Sequence, residues 1–315
     1  MEKKWEKLVK GIKDRDLRSL ARMITHVENR EPGWEEAMKA LYGMGNALVI
    51  GITGSPGAGK STLTNAVALK FAKKGFSIGI IAVDPSSPFS GGALLGDRLR
   101  MKDINTSENI FIRSMATRGA LGGLCQGARD VARIMSAFGK DIIIIETVGV
   151  GQDEVEVVKA ADLVAVVCVP GQGDGIQALK AGIMEIADIY VVNKADLGGA
   201  DEVKADILGM LSLSMDDSDD IPPVILASAF TGMGIDELAG AMETKSSRIK
   251  ASWLLNQARE EILSLMAGQM LDVFMAGRGM SSNLDAAALR IIEKKADPYT
   301  MAEELLASFR EQKNG

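Results

Sequence analysis

Gly54-Ser55-Pro56-Gly57-Ala58-Gly59-Lys60-Ser61 is the stretch that decides the fold. Its spacing is Gly, four residues, then Gly-Lys-Ser. The apolar run Ala47-Leu48-Val49-Ile50-Gly51-Ile52 before it reads as a buried strand, and Ser61 to Lys73 after it reads as a helix. A glycine-rich loop between a strand and a helix turns backbone N–H groups inward to cradle phosphates. The helix start adds the positive end of its dipole. Gly57, Ala58, Gly59, Lys60, Ser61 and Thr62 would line this cradle. Lys60 would reach the β- and γ-phosphates, and the Ser61 hydroxyl would face Mg²⁺. The strand–loop–helix context outweighs the plain alternative of a glycine-rich turn. The loop predicts a nucleoside triphosphate and leaves its base open.

The base is read from Asn193-Lys194-Ala195-Asp196, which follows the apolar run Ile189-Tyr190-Val191-Val192. That places it at the C-terminal end of a strand, the edge where open α/β sheets bind ligands. The Asp196 carboxylate can accept hydrogen bonds from guanine N1–H and the 2-amino group, an arrangement adenine does not offer. A wrong base would leave a buried carboxylate unpaired, a penalty on the order of 10³-fold or more. Asn193 would brace the loop and the Lys194 stem would cover the base. Ser228-Ala229, after Pro223-Val224-Ile225-Leu226, would supply a backbone N–H to the guanine oxygen. GTP is expected over ATP.

The 315 residues are 47% apolar, enough for one large α/β domain with appendages or for two small domains. No run of about 18 apolar residues occurs, so no membrane span is expected. Met1-Glu2-Lys3-Lys4-Trp5 carries no apolar signal core, and a cytoplasmic location is expected. The net charge of −6 argues against broad nucleic-acid binding. The two cysteines, Cys125 and Cys168, read as buried thiols rather than a disulfide or metal pair. The single histidine, His26, reads as a packing residue.

Residues 1 to about 44 read as helical, with Leu17, Leu20, Ala21, Ile24 and Val27 on one face and a further helix over Trp34 to Tyr42. Strands are expected near 77–83, 110–114, 141–146, 163–169, 188–192 and 223–228, mostly with helices between them. Runs apolar on both faces point to a covered, mostly parallel sheet. From about residue 244 the pattern is helical only. Trp253, Leu254, Ala258, Ile262, Leu263, Leu265 and Met266 form a broad apolar stripe, whose face must cover the main domain or a second subunit. Asp297-Pro298 opens a last helix. The expected organisation is a helical extension over 1–44, a nucleotide-binding domain over 45–243 and a helical region over 244–315. Asp216-Asp217-Ser218-Asp219-Asp220 reads as a solvated acidic loop.

Several acids and glycines complete the candidate chemistry. Asp141-Ile142-Ile143-Ile144-Ile145-Glu146 is a buried strand ending in a carboxylate, followed by Thr147-Val148-Gly149. A strand-end acid can hold Mg²⁺ or its water, and the Gly149 N–H can meet the γ-phosphate. The acid is Glu rather than the usual Asp, one methylene longer. Asp84 ends another strand, and Asp97 lies in the glycine-rich segment 91–101, from which it could approach Mg²⁺. Gly171-Gln172-Gly173-Asp174-Gly175 suggests a segment that changes shape, with Lys180 in the helix beyond it. Arg118 could reach phosphate or a partner.

Taken together, 83–92, Gly96-Asp97-Arg98, 113–119, Glu146-Thr147-Val148-Gly149-Val150-Gly151-Gln152, 182–188 and Asn193-Lys194-Ala195-Asp196 resemble the MeaB/ArgK family of P-loop GTPases over roughly residues 15–245. The resemblance implies an α/β P-loop NTPase, a SIMIBI-class G domain with N- and C-terminal helical extensions. It implies a homodimer joined through the C-terminal helices. It also implies a Mg²⁺-dependent GTPase that chaperones an adenosylcobalamin-dependent acyl-CoA mutase, chiefly methylmalonyl-CoA mutase, gating cofactor loading and protecting or rescuing the enzyme. On matching positions, Lys60 contacts phosphate, Ser61 binds Mg²⁺, and Asp84, Asp97 and Glu146 surround the ion and its waters. Lys180 is a candidate for completing the active site. The sequence departs from the family at Asp153, where Ser is usual, and at Gly175, where an acid is usual. Both lie in partner-responsive segments.

Two other functions compete. An ATPase or kinase linked to lysine/arginine/ornithine transport predicts ATP preference, against which Asn193 to Asp196 argues. A metal-insertion GTPase needs His or Cys ligands, against which one His and two separated Cys argue. No general base or arginine finger is fixed by the sequence, so the expected intrinsic turnover is slow and is raised by a partner that orders the segments resembling the family's switches, near Asp97, over Glu146 to Glu154 and over Gly171 to Lys180.

Overall fold

The computed structural model describes residues 1–84, 109–116, 123–147, 160–171, 187–214, 221–249, 251–277 and 280–314. Its strands are β1 Leu48–Gly54, β2 Ile78–Asp84, β3 Ile110–Ala116, β4 Ile142–Thr147, β5 Leu163–Cys168, β6 Ile189–Val192 and β7 Val224–Leu226. Their order in the sheet is β3-β2-β4-β1-β5-β6-β7, and every neighbouring pair is parallel. The expected P-loop α/β sandwich is therefore present, each strand within a residue or two of its expected limits. The acidic run Asp216 to Asp220 lies outside the described residues.

Both faces of the sheet are apolar because both are covered. Along β4, Ile142 and Ile144 join a core with α4 (Lys60–Lys73), while Ile143 and Ile145 join the core on the opposite face. That second core is built with α1 (Lys3–Lys13), α2 (Leu17–Glu28), α3 (Trp34–Leu41) and α5 (Gly123–Phe138). Each buried Ile or Leu contributes roughly 1.5–3 kcal/mol. The alternation along one strand thus supports two layers at once. The remaining helices of the sheet layers are α6 (Ala200–Ser214), packed on Tyr190 and Val192, and α7 (Ile235–Ser246), packed beside α4.

Strand starts are held by a repeated device. Asp141, Asp162 and Asp188 each stand just before a strand, and each accepts a backbone N–H from a neighbouring strand start: Ser77 at 2.7 Å, Val49 at 2.9 Å and Val164 at 2.8 Å. These carboxylates satisfy N–H groups where the ladder begins and fix register there.

The N-terminal helices are part of the same core as the sheet. Trp5, Leu8, Val9 and Ile12 recur at helical spacing on α1 and are buried, as are Leu20, Met23, Ile24 and Val27 on α2. The Trp5 indole N–H donates to the Pro32 carbonyl at 2.8 Å. Arg30 pairs with the buried Asp130 of α5 at 2.8 Å, and Arg113 of β3 pairs with Glu28 of α2. His26 pairs with Glu31 at 2.6 Å and lies edge-on to Trp5, so it belongs to this packing layer. Cys168 is a buried free thiol, its pKa pushed up to about 12 by burial. The side chain of Cys125 lies outside the described residues.

The chain divides into two units, Met1–Leu254 and Leu255–Gly315. Helix α8 (Ala251–Met275) crosses that boundary, and α9 (Met280–Ile292) and α10 (Pro298–Asn314) complete the second unit. Asp297 caps α10, accepting from the Thr300 N–H at 2.9 Å and from its hydroxyl at 2.6 Å. Phe274 and Phe309 pack with ring centroids 5.2 Å apart. Ile262, Leu263, Leu265 and Met266 nevertheless remain exposed. No helix among the described residues is long and apolar enough to cross a membrane.

Candidate functional site

The C-terminal strand edge collects the candidate residues because the strands are parallel and in register. Ile52 pairs with Glu146, and Gly54 with Val167. The loop after β1 therefore starts beside the end of β4. Gly54 has φ +143°, and a Cβ there would lie 2.1 Å from the Val167 carbonyl oxygen. Only glycine lets β1 run this close to β5 while turning into the loop.

Helix α4 begins at Lys60, with Gly59 at its N-cap in the left-handed region and no side-chain cap. First-turn N–H groups not taken by a cap suit an anion. The Lys60 ammonium is buried and donates to the carbonyls of Gly54 at 2.7 Å and Ser55 at 3.1 Å. Its charge is thus parked inside the loop. The Ser61 hydroxyl donates to Oε1 of Glu146, whose side chain is buried. A hydroxyl and a carboxylate brought together at the foot of the loop are hard oxygen donors. That chemistry fits Mg²⁺, which prefers oxygen ligands, one or two carboxylates and substrate phosphates. Beside them, the Thr147 hydroxyl donates to the Thr53 hydroxyl at 3.2 Å.

The loops after β6 and β7 are joined to the phosphate loop by one buried amide. Asn193 follows β6 and is 2% exposed. Its Nδ2 donates to the Ala58 carbonyl at 2.8 Å, and its Oδ1 accepts the Ala229 N–H at 3.1 Å. One side chain therefore ties the phosphate loop to the loop after β7. A Cβ on Gly59 would lie 2.6 Å from this Nδ2, so the glycine makes room for the tie. Lys194 has φ +59° and donates from Nζ to the Gly57 carbonyl at 2.9 Å, laying its stem across the gap between the loops. Asp196 is exposed at the loop end. Ser228 is fully buried; its N–H donates to the Met233 carbonyl and its hydroxyl accepts the Thr231 N–H. Both backbone N–H groups of the Ser228-Ala229 pair are thus engaged within the protein.

The structure brings together Gly57, Ala58, Gly59, Lys60, Ser61 and Glu146 at one edge, with Asn193, Lys194 and Ala229 beside them. Thr62, next to Ser61 in the first turn of α4, is exposed. Asp84 closes β2 at the same edge, and its side chain lies outside the described residues. Asp97, Arg118, Gly149, Gln152, Asp153, Gly175 and Lys180 also lie outside them. Among the described residues no cluster of three or more His, Cys, Asp or Glu forms a metal site. Sequence reasoning missed the Thr53–Thr147 pair. The available signal was a hydroxyl near the end of each of two Ile-containing buried strands.

A family model described as Methylmalonyl Co-A mutase-associated GTPase MeaB matches residues 20–276. A protein of Pyrococcus abyssi named as a GTPase is 43% identical over 314 residues, covering 96% of this chain and 95% of the relative. GTPase ArgK of Escherichia coli is 35% identical over 289 residues, covering 84% of this chain and 87% of the relative. Among solved structures, one titled LAO/AO transport system kinase aligns with a TM-score of 0.70 at 26% identity, covering 98% of this chain and 99% of that one.

Proposed function

The chain belongs to the MeaB family of methylmalonyl-CoA mutase-associated GTPases, and from that premise we propose that it couples GTP hydrolysis to the care of an adenosylcobalamin-dependent acyl-CoA mutase. In this reading it gates cofactor loading and protects or reactivates the mutase, probed first with methylmalonyl-CoA mutase. The observation that carries the guanine part is Asn193, whose amide binds the phosphate loop and the loop after β7 together. Asp196 then stands at the end of that tie to select guanine, and the Lys194 stem covers the base. The same loop disfavours the kinase reading suggested by the name of the solved neighbour, because that reading calls for ATP.

The chemistry asked of the protein is positioning and charge stabilisation. Water attacks the γ-phosphorus in line, the bond to the β,γ-bridging oxygen breaks, GDP leaves with the electron pair, and the water's second proton passes to a phosphate oxygen or to solvent. Backbone N–H groups from Gly57 to Thr62 hold the phosphates. Lys60 exchanges the Gly54 and Ser55 carbonyls for phosphate oxygens, which is favourable because a charge-assisted bond to an anion replaces bonds to neutral carbonyls. Gly149 and Lys180 complete the γ-phosphate side. Ser61 and Glu146, with Asp84 and Asp97, are the residues that would hold Mg²⁺. When bound, Mg²⁺ supplies positive charge to the β- and γ-phosphate oxygens.

The second unit is assigned to pairing with a second copy of the chain. Its exposed apolar stripe on α8 supports this. No nucleic acid and no membrane is called for, and the working compartment is the cytoplasm.

GTP hydrolysis by the purified protein, alone and with apo methylmalonyl-CoA mutase, with ATP as control, tests the reading. GTP-only turnover that rises with the mutase is the expected result. GTP-only turnover without a response would remove this mutase as partner, with Asp153 and Gly175 the first positions to revert. Equal turnover of ATP would overturn the base assignment.

A further inference from the structure

Backbone pairing between β1 and β4 stops at Ile52↔Glu146, while β1 continues beside β5 to Gly54↔Val167. One residue beyond the last β1–β4 pair, the Thr147 hydroxyl donates to the Thr53 hydroxyl at 3.2 Å. Both threonines are buried, at 0% and 3% exposure, at the ends of strands that are otherwise Ile-rich. Valine has the same shape and would avoid the cost of burying a hydroxyl. Thr53 directly precedes Gly54, and Thr147 directly follows Glu146. The hydroxyl pair therefore ties the root of the phosphate loop to the root of the Glu146 carboxylate, one residue past the last β1–β4 pair among the described residues.

We propose that Thr53 and Thr147 are positioning residues for the divalent-cation site: their mutual hydrogen bond sets the spacing between the Glu146 carboxylate and the Ser61 hydroxyl. This rests on reading Ser61 and Glu146 as the cation-holding pair. Neither threonine need touch the ion. Their effect is to hold a carboxylate at the end of a strand in the geometry that a small octahedral ion demands.

The double variant T53V/T147V is the decisive test, because replacing both partners of a hydrogen bond with isosteric apolar groups is close to neutral for stability. The rate of GDP release is followed with a fluorescent GDP analogue, in EDTA and across a Mg²⁺ titration, with thermal melting as control. The wild type is expected to release GDP more slowly as Mg²⁺ rises. T53V/T147V and T147V are expected to bind GDP normally in EDTA but to need about tenfold or more Mg²⁺ for the same slowing. T147S, which keeps the hydroxyl, is expected to behave as wild type. A melting temperature near wild type together with an unchanged Mg²⁺ midpoint in the double variant would overturn the proposal and leave the pair a strand tie only. Failure of the wild type to bind GDP both in EDTA and at saturating Mg²⁺ would instead indict the nucleotide reading, and a wild type indifferent to Mg²⁺ would indict the Ser61–Glu146 assignment.

Discussion

The side-chain amide of Asn193 donates to the Ala58 carbonyl at 2.8 Å, joining the loop after β6 to the phosphate loop 135 residues earlier. Because its Oδ1 also accepts the Ala229 N–H, three loops share one buried residue. Asn193→Ala would leave a carbonyl and an N–H unsatisfied in the interior. We expect a loss of about 1–3 kcal/mol in urea unfolding and a fall of at least about tenfold in GDP affinity. Asn193→Asp should fail similarly, because a carboxylate has no donor for Ala58. Near-wild-type calorimetric affinity in both variants would refute the role.

Asp196 sits at the end of the same loop, and in the proposed base reading its carboxylate is an acceptor twice over. Asp196→Asn replaces one acceptor with a donor, which mismatches guanine and matches the C2 carbonyl of xanthine. The variant should lose GTP affinity by about 10²-fold or more and gain affinity for XTP. Competition of GTP and XTP for the site measures both changes. Retained preference for GTP would remove Asp196 from base reading.

Gly54 and Gly57 test backbone constraint separately. A Cβ at Gly54 would meet the Val167 carbonyl oxygen at 2.1 Å, and backbone there cannot yield without parting β1 from β5. A Cβ at Gly57 meets nothing within 4 Å, although φ is +74°. Gly54→Ala should therefore unfold the domain or cost more than about 3 kcal/mol, whereas Gly57→Ala should cost about 1 kcal/mol of backbone strain. Chemical denaturation of the two variants side by side gives the comparison.

The sheet was legible because its strands are buried on both faces. A run such as Ile142 to Ile145 has one reading once an acid and a glycine follow it. The places of the phosphate loop after β1 and of Asn193 to Asp196 after β6 were legible because each follows an apolar strand run. What the sequence hid was long-range. Nothing near Asn193 announces Ala58 or Ala229, and nothing in Thr53 announces Thr147. The first helix was also under-read. Trp5, Leu8, Val9 and Ile12 carry a clear helical period, but their burial depends on Ile143, Ile145 and α5, which only the fold brings to them. The 1–44 segment therefore shares the core of the sheet layers within the compact unit Met1–Leu254.

Lys140 provides a pH test. Burial pushes its ammonium down to about 8 from the usual 10.5, although it donates to the Ser77 hydroxyl at 3.0 Å and the Asn109 carbonyl at 3.1 Å. Between about pH 8 and 10.5 the unfolded chain holds a proton that the folded chain has released, so this residue makes stability rise with pH across that window. Below about 8 the cost of the buried charge is fully present. Cys168 acts oppositely above its ordinary value of 9.0, because its thiol keeps its proton in the fold up to about 12. Melting curves between pH 7.5 and 9 isolate the lysine. Over that range Lys140→Met should show a flatter pH dependence than the wild type, and parallel profiles would refute the assignment.

On α8, Ile262, Leu263, Met266 and Met270 fall within about 100° of arc, and their exposures run from 53% to 70%. Water-facing side chains of this kind lose their solvation cost only when another surface covers them, and so large a stripe is unusual on a chain that works alone. A second copy presenting the same stripe would bury both at once through a two-fold contact. Leu263→Glu with Met266→Glu places two like charges at the middle of that contact and two more across it. The wild type should scatter light as a dimer and the double variant as a monomer. Because neither substituted residue belongs to the nucleotide-binding machinery, GDP affinity should stay within about twofold. A monomeric wild type, or a double variant that remains dimeric, would take the stripe out of the dimer contact.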